Sequence, residues 1–324
     1  MPPNPVSADA ADMANDIEAR PPAGAGTGQR RPHRPRWRLS RPEMALLAIT
    51  AVWGATFLTV QKGLSVTGPW SFVALRFGVA AGVLAALSRT AFRGLTGRET
   101  AVGGLIGVSL CAAYGLQTVG LETVTSSMSA FLTALYVPLV PLGQWALTHR
   151  PPSAGRWAGI ACAFCGLVLL TGVTVTGLRL GTGEVVTLLG TVAIAVQILL
   201  IGRFAGTVDV RRVTVVQLAV CSVLASIIRP LAGESLPAPS WALALTVAAF
   251  GLVSAVIQLV INWAQRSVSP TRATVIYASE PVWAALVGRL AGERLTTSSM
   301  SGGMLIVAAV LISEIGSRRS ADGK

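Results

Sequence analysis

The side chains best placed to do chemistry lie within Ser279-Glu-Pro-Val-Trp283, inside an apolar stretch running from Thr271 to Arg294. Counted from Thr271 at 1.5 Å per residue, Glu280 sits about 13 Å along a helix, near the middle of a hydrocarbon layer about 30 Å thick. An ionisable group at that depth costs about 3 kcal/mol to insert, so it faces a partner or a wet cavity. There it could exchange a proton or orient an ammonium group. The blander alternatives are a protonated carboxyl hydrogen-bonded to a neighbouring helix, or an acid at a cavity mouth that never titrates. Pro281 has no N–H, so the carbonyl of Tyr277 loses its helical partner and becomes available to a ligand or another helix.

Other polar groups occur in similarly apolar surroundings. Arg76 lies about 9 Å beyond Trp70 and could pair with an anionic solute or with Glu280, or snorkel outward. Trp53 stands about nine residues into its segment, deeper than the interfacial belt where tryptophan usually sits. Gln117, Tyr136, Gln197, Gln258, Asn262 and Tyr277 also fall within apolar stretches. Interhelical hydrogen bonds would explain any one of them, whereas their number suggests a hydrated chamber. The candidate lining is Trp53, Phe57, Arg76, Gln117, Tyr136, Gln258, Asn262, Tyr277 and Glu280, with Pro138 and Pro281 as helix breaks.

Catalysis lacks its usual groups. The two histidines are in the tail (His33) and in a loop (His149), and no aspartate falls within an apolar segment, so the expectation is a protein that is not an enzyme and carries no metal or cofactor. No phosphate-binding P-loop is present, so any energy must come from a gradient or a partner. Cys162 and Cys165 form a C-x-x-C, but in an apolar setting they read as small residues on a packed helix face. Cys111 and Cys221 also fall in apolar segments, which disfavours structural disulfides.

The elements that must position these groups are membrane helices. Hydrophobic residues make up 52% of the 324, charged residues only 12%, and mean hydropathy is +0.63, far from a soluble composition. Ten apolar segments are predicted, at 44–61, 70–88, 101–120, 125–147, 155–174, 183–202, 213–228, 240–263, 271–290 and 299–315, each near the length a spanning helix needs. Residues 1–42 are rich in Pro, Ala and Gly and end in a basic run, which predicts a disordered tail touching anionic headgroups. The net charge of +12 comes from tails and short loops rather than one face, which argues against nucleic acid.

The segments fall into two halves. Sliding the chain by 143 residues places Pro138 on Pro281, Ala130 on Ala273, Leu147 on Leu290 and Gly159 on Gly302. Paired, proline-interrupted segments in corresponding halves point to a transporter's binding site. The expected division is a tail at 1–42, repeats at 43–177 and 178–316, and a tail at 317–324. Five helices per repeat force the second copy to be inverted relative to the first. With the N-terminus inside, twenty Lys and Arg residues fall on the cytoplasmic side and five on the other, which predicts both termini in the cytoplasm.

Several elements together carry a family resemblance: Trp53-Gly-Ala-Thr-Phe57, Leu75-Arg-Phe77, Leu135-Tyr-Val-Pro-Leu-Val-Pro141, and Ser279-Glu-Pro-Val-Trp283 running on to Gly292-Glu-Arg294. In order and spacing they resemble the EamA-like transporters of the drug/metabolite transporter superfamily. The likeness runs from Met44 to Ile315. It implies an all-α integral membrane protein of ten helices in two inverted EamA repeats, in a bacterial inner (plasma) membrane. It further implies a carrier, commonly an exporter of amino acids or other small metabolites, with a central cavity formed by both repeats. The first repeat departs from the pattern, with His149-Arg150 where an acid often follows the fourth helix; the second keeps Glu293. The other readings are a channel-like or accessory membrane protein. The expected partners are a small-molecule substrate and the lipid bilayer, for a monomer or homodimer.

Overall fold

The computed structural model describes residues 39–63, 67–89, 91–124, 129, 132–171, 181–280, 282–283, 286 and 297–322. Ten α-helices and a short 3-10 turn (Ala91–Gly94) order them, and no strand occurs among the described residues. In chain order the helices are α1 (Arg41–Gly63), α2 (Pro69–Leu87), α3 (Gly97–Gly120), α4 (Tyr136–Thr148), α5 (Ala154–Thr171), α6 (Thr182–Phe204), α7 (Val210–Leu231), α8 (Trp241–Ala264), α9 (Pro270–Tyr277) and α10 (Thr297–Asp322). Among the described residues α2, α3, α6, α7 and α8 are long and apolar enough to cross a bilayer. Of the predicted segments at 125–147 and 271–290, the described residues include α4 and α9, further helical residues at 129, 132–134, 280, 282–283 and 286, and turns at 135 and 278–279; the rest of both segments lies outside the described residues.

Local chemistry sets the helix starts. Thr96 and Glu99 form a capping box on α3: Glu99 N donates to Thr96 Oγ1 at 3.2 Å and Thr96 N to Glu99 Oε2 at 2.9 Å. Asp209 accepts from the backbone of Arg211 and Arg212 to start α7, and Ser240 accepts from Leu243 N to start α8. Pro69 and Pro270 occupy the first turns of α2 and α9, where a missing N–H costs nothing.

Small residues set the packing. Gly103 and Gly107 on α3 admit α7: a Cβ at Gly103 would stand 2.7 Å from Val216 Cβ, and one at Gly107 2.7 Å from the carbonyl oxygen of Gln217. In a bilayer, where apolar burial drives little association, such close backbone approach is what holds helices together. Gly120 and Gly183 bring the end of α3 against the start of α6 in the same way. Outward faces carry Leu105, Val108, Val192, Val196, Val223, Ile227, Leu252 and Val256, as lipid contact requires.

Carboxylates tie neighbouring helices to the two ends of α7. Glu234, after α7, accepts from the backbone N–H groups of Trp70 and Ser71 at 2.9 Å each, closing the start of α2. Glu99, at the start of α3, accepts from Asp209 N at 3.2 Å and pairs with Arg212 at 3.2 Å, closing the start of α7. Elsewhere Arg272 of α9 pairs with the buried Glu43 of α1, and Thr271 donates to Gln144 of α4 at 2.6 Å.

Candidate functional site

A cavity of about 490 Å³, counting space that opens to the exterior, lies among α1, α3, α4, α6, α8 and the end of α9. Its walls bear Trp53, Tyr114, Gln117, Thr133, Tyr136, Gln197, Gln258, Tyr277 and Glu280, and its apolar face is Ile194, Ile198, Ile201 and Ile261. All three tyrosines of the chain are among them.

Helical spacing explains how the wall is built. Tyr114 and Gln117 are three apart on α3, and Ile194, Gln197, Ile198 and Ile201 follow the i, i+3, i+4, i+7 pattern of one face of α6. Gln258 and Ile261 share a face of α8. Gln117 Nε2 donates to Thr133 Oγ1 at 3.0 Å, joining α3 to the short helical turn at 132–134. Leu135 interrupts the helix between that turn and α4, so Pro138 falls within the first turn of α4 and Pro141 lies farther in. The break therefore precedes the proline, whose absent N–H is harmless at that position.

On the other repeat α9 stops at Tyr277, and Ala278 and Ser279 turn the chain before Glu280, which is 9% exposed and lines the cavity. Pro281 lies outside the described residues. Thr50 Oγ1 and Ser279 Oγ are 3.1 Å apart, which pins this break against α1. Tyr277 hydroxyl accepts from Gln265 Nε2 at 3.3 Å.

The aromatic groups form a continuous wall. Trp53 stacks on Tyr114 with centroids 6.2 Å apart and planes 14° apart, and meets Tyr277 edge-on at 6.3 Å. Tyr114 in turn covers the guanidinium of Arg76 at 5.0 Å. Phe77, Phe72 and Phe250 surround the same guanidinium at 4.8, 5.5 and 5.9 Å, while its Nε and Nη2 donate to Ser254 Oγ at 3.1 and 3.0 Å.

Two expectations change here. Arg76 neither lines the cavity nor pairs with Glu280 nor snorkels: it is 7% exposed, and no carboxylate among the described residues lies within ion-pair distance. Aromatic faces and one hydroxyl stabilise it instead. Asn262 is also set back from the cavity, donating through Nδ2 to Gln217 Oε1 at 3.2 Å and to the carbonyl of Gln258 at 2.9 Å. The side chain of Phe57 lies outside the described residues.

Sequence reasoning did not single out Tyr114, Thr133 or the isoleucine face. Tyr114 had a signal in its three-residue spacing from Gln117; the isoleucines had none, since apolar residues line lipid-facing and cavity-facing surfaces alike. The C-x-x-C pair does not share one packed face. Cys162 Sγ donates to the carbonyl of Leu305 on α10 at 3.3 Å, and Cys165 is exposed.

Comparison with known proteins agrees with this architecture. The model of the EamA-like transporter family matches residues 41–172 and again 181–314. An inner membrane transporter of Escherichia coli K12, YedA, described as uncharacterized, is 30% identical over 286 residues, spanning 83% of this chain and 89% of its own. A transporter of Archaeoglobus fulgidus, likewise described as uncharacterized, is 26% identical over 272 residues, spanning 83% and 84%. A crystal structure 18% identical in sequence superposes with a TM-score of 0.73 over 86% of this chain and 98% of that one, which speaks for the fold alone. A family model matched twice along an all-helical membrane chain, around a cavity walled by both matched stretches, is decisive: the chain belongs to the EamA-like transporter family, and is a membrane transporter.

Proposed function

We propose that the protein is a secondary, gradient-driven or facilitative carrier that exports amino acids or related small metabolites by alternating access through the central cavity. The observation that carries this is the cavity's make-up. One carboxylate, Glu280, faces three tyrosines, a tryptophan and three glutamines in a chamber whose walls come from both family-matched stretches. Aromatic faces beside a carboxylate suit an ammonium group, and amides suit the polar remainder of an amino acid. In this reading the two halves are inverted repeats, both termini are cytoplasmic by the distribution of Lys and Arg, and Glu280 takes the ammonium group or a coupling proton.

The test is counterflow. Full-length protein in proteoliposomes, loaded with unlabelled solute, is offered labelled amino acids and small metabolites with and without an imposed proton gradient. Saturable uptake that overshoots equilibrium supports a carrier. Flux that rises linearly with concentration indicates a channel, and no flux with any solute indicates an accessory role.

A further inference from the structure

The orientation of Gln258 can be deduced from one fixed point. A backbone carbonyl only accepts, so the 2.9 Å contact between Asn262 and the carbonyl of Gln258, one helical turn earlier, identifies the Asn262 atom as Nδ2. The same Nδ2 meets Gln217 at 3.2 Å, so the Gln217 atom there is Oε1. Gln217 therefore presents Nε2 to Gln258 at 3.0 Å, and the Gln258 atom receiving it is Oε1. Gln197 Nε2 approaches that same oxygen at 3.3 Å. Turning the Gln258 amide over would set its NH2 against two others.

The consequence falls on the remaining atom. Gln258 Nε2 is buried with no hydrogen-bond partner among the described residues, although the side chain is only 1% exposed and lines the cavity. The Tyr114 hydroxyl lies beside it without completing a bond. An unmade buried donor is costly, and it persists where something else supplies the acceptor.

We infer that Gln258 is a specificity-determining residue, whose Nε2 selects cargo carrying a hydrogen-bond acceptor, a carboxylate or amide carbonyl, near its cationic group. Gln217 and Asn262 are positioning residues: they do not line the cavity but hold the donor toward it. The inference rests on the cavity being the cargo site. It adds that the site rejects amines lacking such an acceptor, because they leave Nε2 unsatisfied while still reaching Glu280 and the aromatic wall.

Three labelled probes of one side-chain shape separate the possibilities: L-leucine, L-leucinamide and 3-methylbutylamine. Binding of each is measured by equilibrium dialysis against the full-length protein in detergent. The wild type is expected to favour the two carbonyl-bearing probes over the amine by about ten- to a hundredfold, the scale of one buried donor left unpaired. Gln258→Met brings the three affinities within about threefold. Gln258→Glu, which keeps an oxygen for Gln197 and Gln217 and removes the amide donor, turns the preference toward the amine. It carries the test should the methionine variant fail to fold. Asn262→Leu lowers the ratio without abolishing amine binding, which a purely structural role would not do. Equal wild-type affinity for amine and amino acid, or a ratio unchanged in a folded Gln258 variant, overturns the inference and leaves the transport reading standing. Binding of none of the three by the wild type removes this cavity as the site for such cargo, and the inference with it.

Discussion

Cys162 Sγ donates to the carbonyl oxygen of Leu305, and these two positions stand 143 apart, the offset that lays one half of the sequence on the other. A residue that touches its own image sits close to the operation relating the copies, so α5 and α10 meet at the seam of the repeat. Gly166 of α5 packs against the backbone of Gly302 at that seam, a Cβ there standing 2.7 Å from the Gly302 oxygen. Gly166→Leu is therefore expected to destabilise the protein by about 2 kcal/mol or more, as overpacking against backbone does. Thermal unfolding in detergent reads it, with Cys165→Leu at the exposed neighbouring position as the near-neutral control.

Glu280→Gln keeps the size of the side chain and removes its charge. Counterflow of the variant is expected to fall at least about tenfold with the protein still folded, the scale of a lost charge-assisted hydrogen bond. Unchanged transport at every pH tested would remove the carboxylate from the mechanism.

Arg76→Lys keeps a cation but loses the planar fork that bonds Ser254 and lies against four rings. A compact ammonium is more strongly hydrated and cannot stack, so stability is expected to drop by about 1–3 kcal/mol. Ser254→Ala, which removes the hydroxyl alone, costs about 1 kcal/mol. A lysine variant that melts with the wild type would contradict this account of the site.

Gly78 and Ser222 offer a direct measure of the α2/α7 contact. A Cβ at Gly78 would stand 3.9 Å from Ser222 Cβ, within the range a disulfide bridges. The variant Gly78→Cys/Ser222→Cys is expected to cross-link under mild oxidation, read by alkylation and gel shift. Because Glu234 already ties the end of α7 to the start of α2, the cross-linked protein is expected to keep transporting. Arrest upon oxidation, reversed by reductant, would assign the working motion to α2 against α7.

Glu234 closes the start of α2 where Gly68 and Pro69 supply no capping side chain. Glu234→Ala is expected to cost about 1 kcal/mol, within the range of a lost helix cap. The melting temperature should fall by a few degrees, while Asp209→Ala shows a similar loss at α7.

Helix identity was legible from hydropathy because long apolar runs leave few alternatives. Segments 70–88 and 183–202 became α2 and α6 within two residues at each end. The proline-bearing segments were harder. A run at 125–147 reads as one span, but its helical turn at 132–134 is parted from α4 at Leu135, before either proline. Polar residues in apolar runs pointed to Glu280, Tyr136, Tyr277, Gln117 and Gln258, which all face the cavity. The same reasoning could not separate them from Arg76 and Asn262, since periodicity places a residue on its own helix and says nothing of which neighbour that face meets.

The amide chain from Asn262 through Gln217 to Gln258 takes its direction from a single carbonyl. Asn262→Asp would put an acceptor where that direction is set, and Gln217 would turn to donate to it. Gln258 would then offer its nitrogen to Gln217 and, once Gln197 had turned its own oxygen toward that nitrogen, show oxygen to the chamber. If Gln258 selects cargo as inferred, that preference would be inverted by a residue two side chains removed from the cavity, so it can drift without a change in the lining itself.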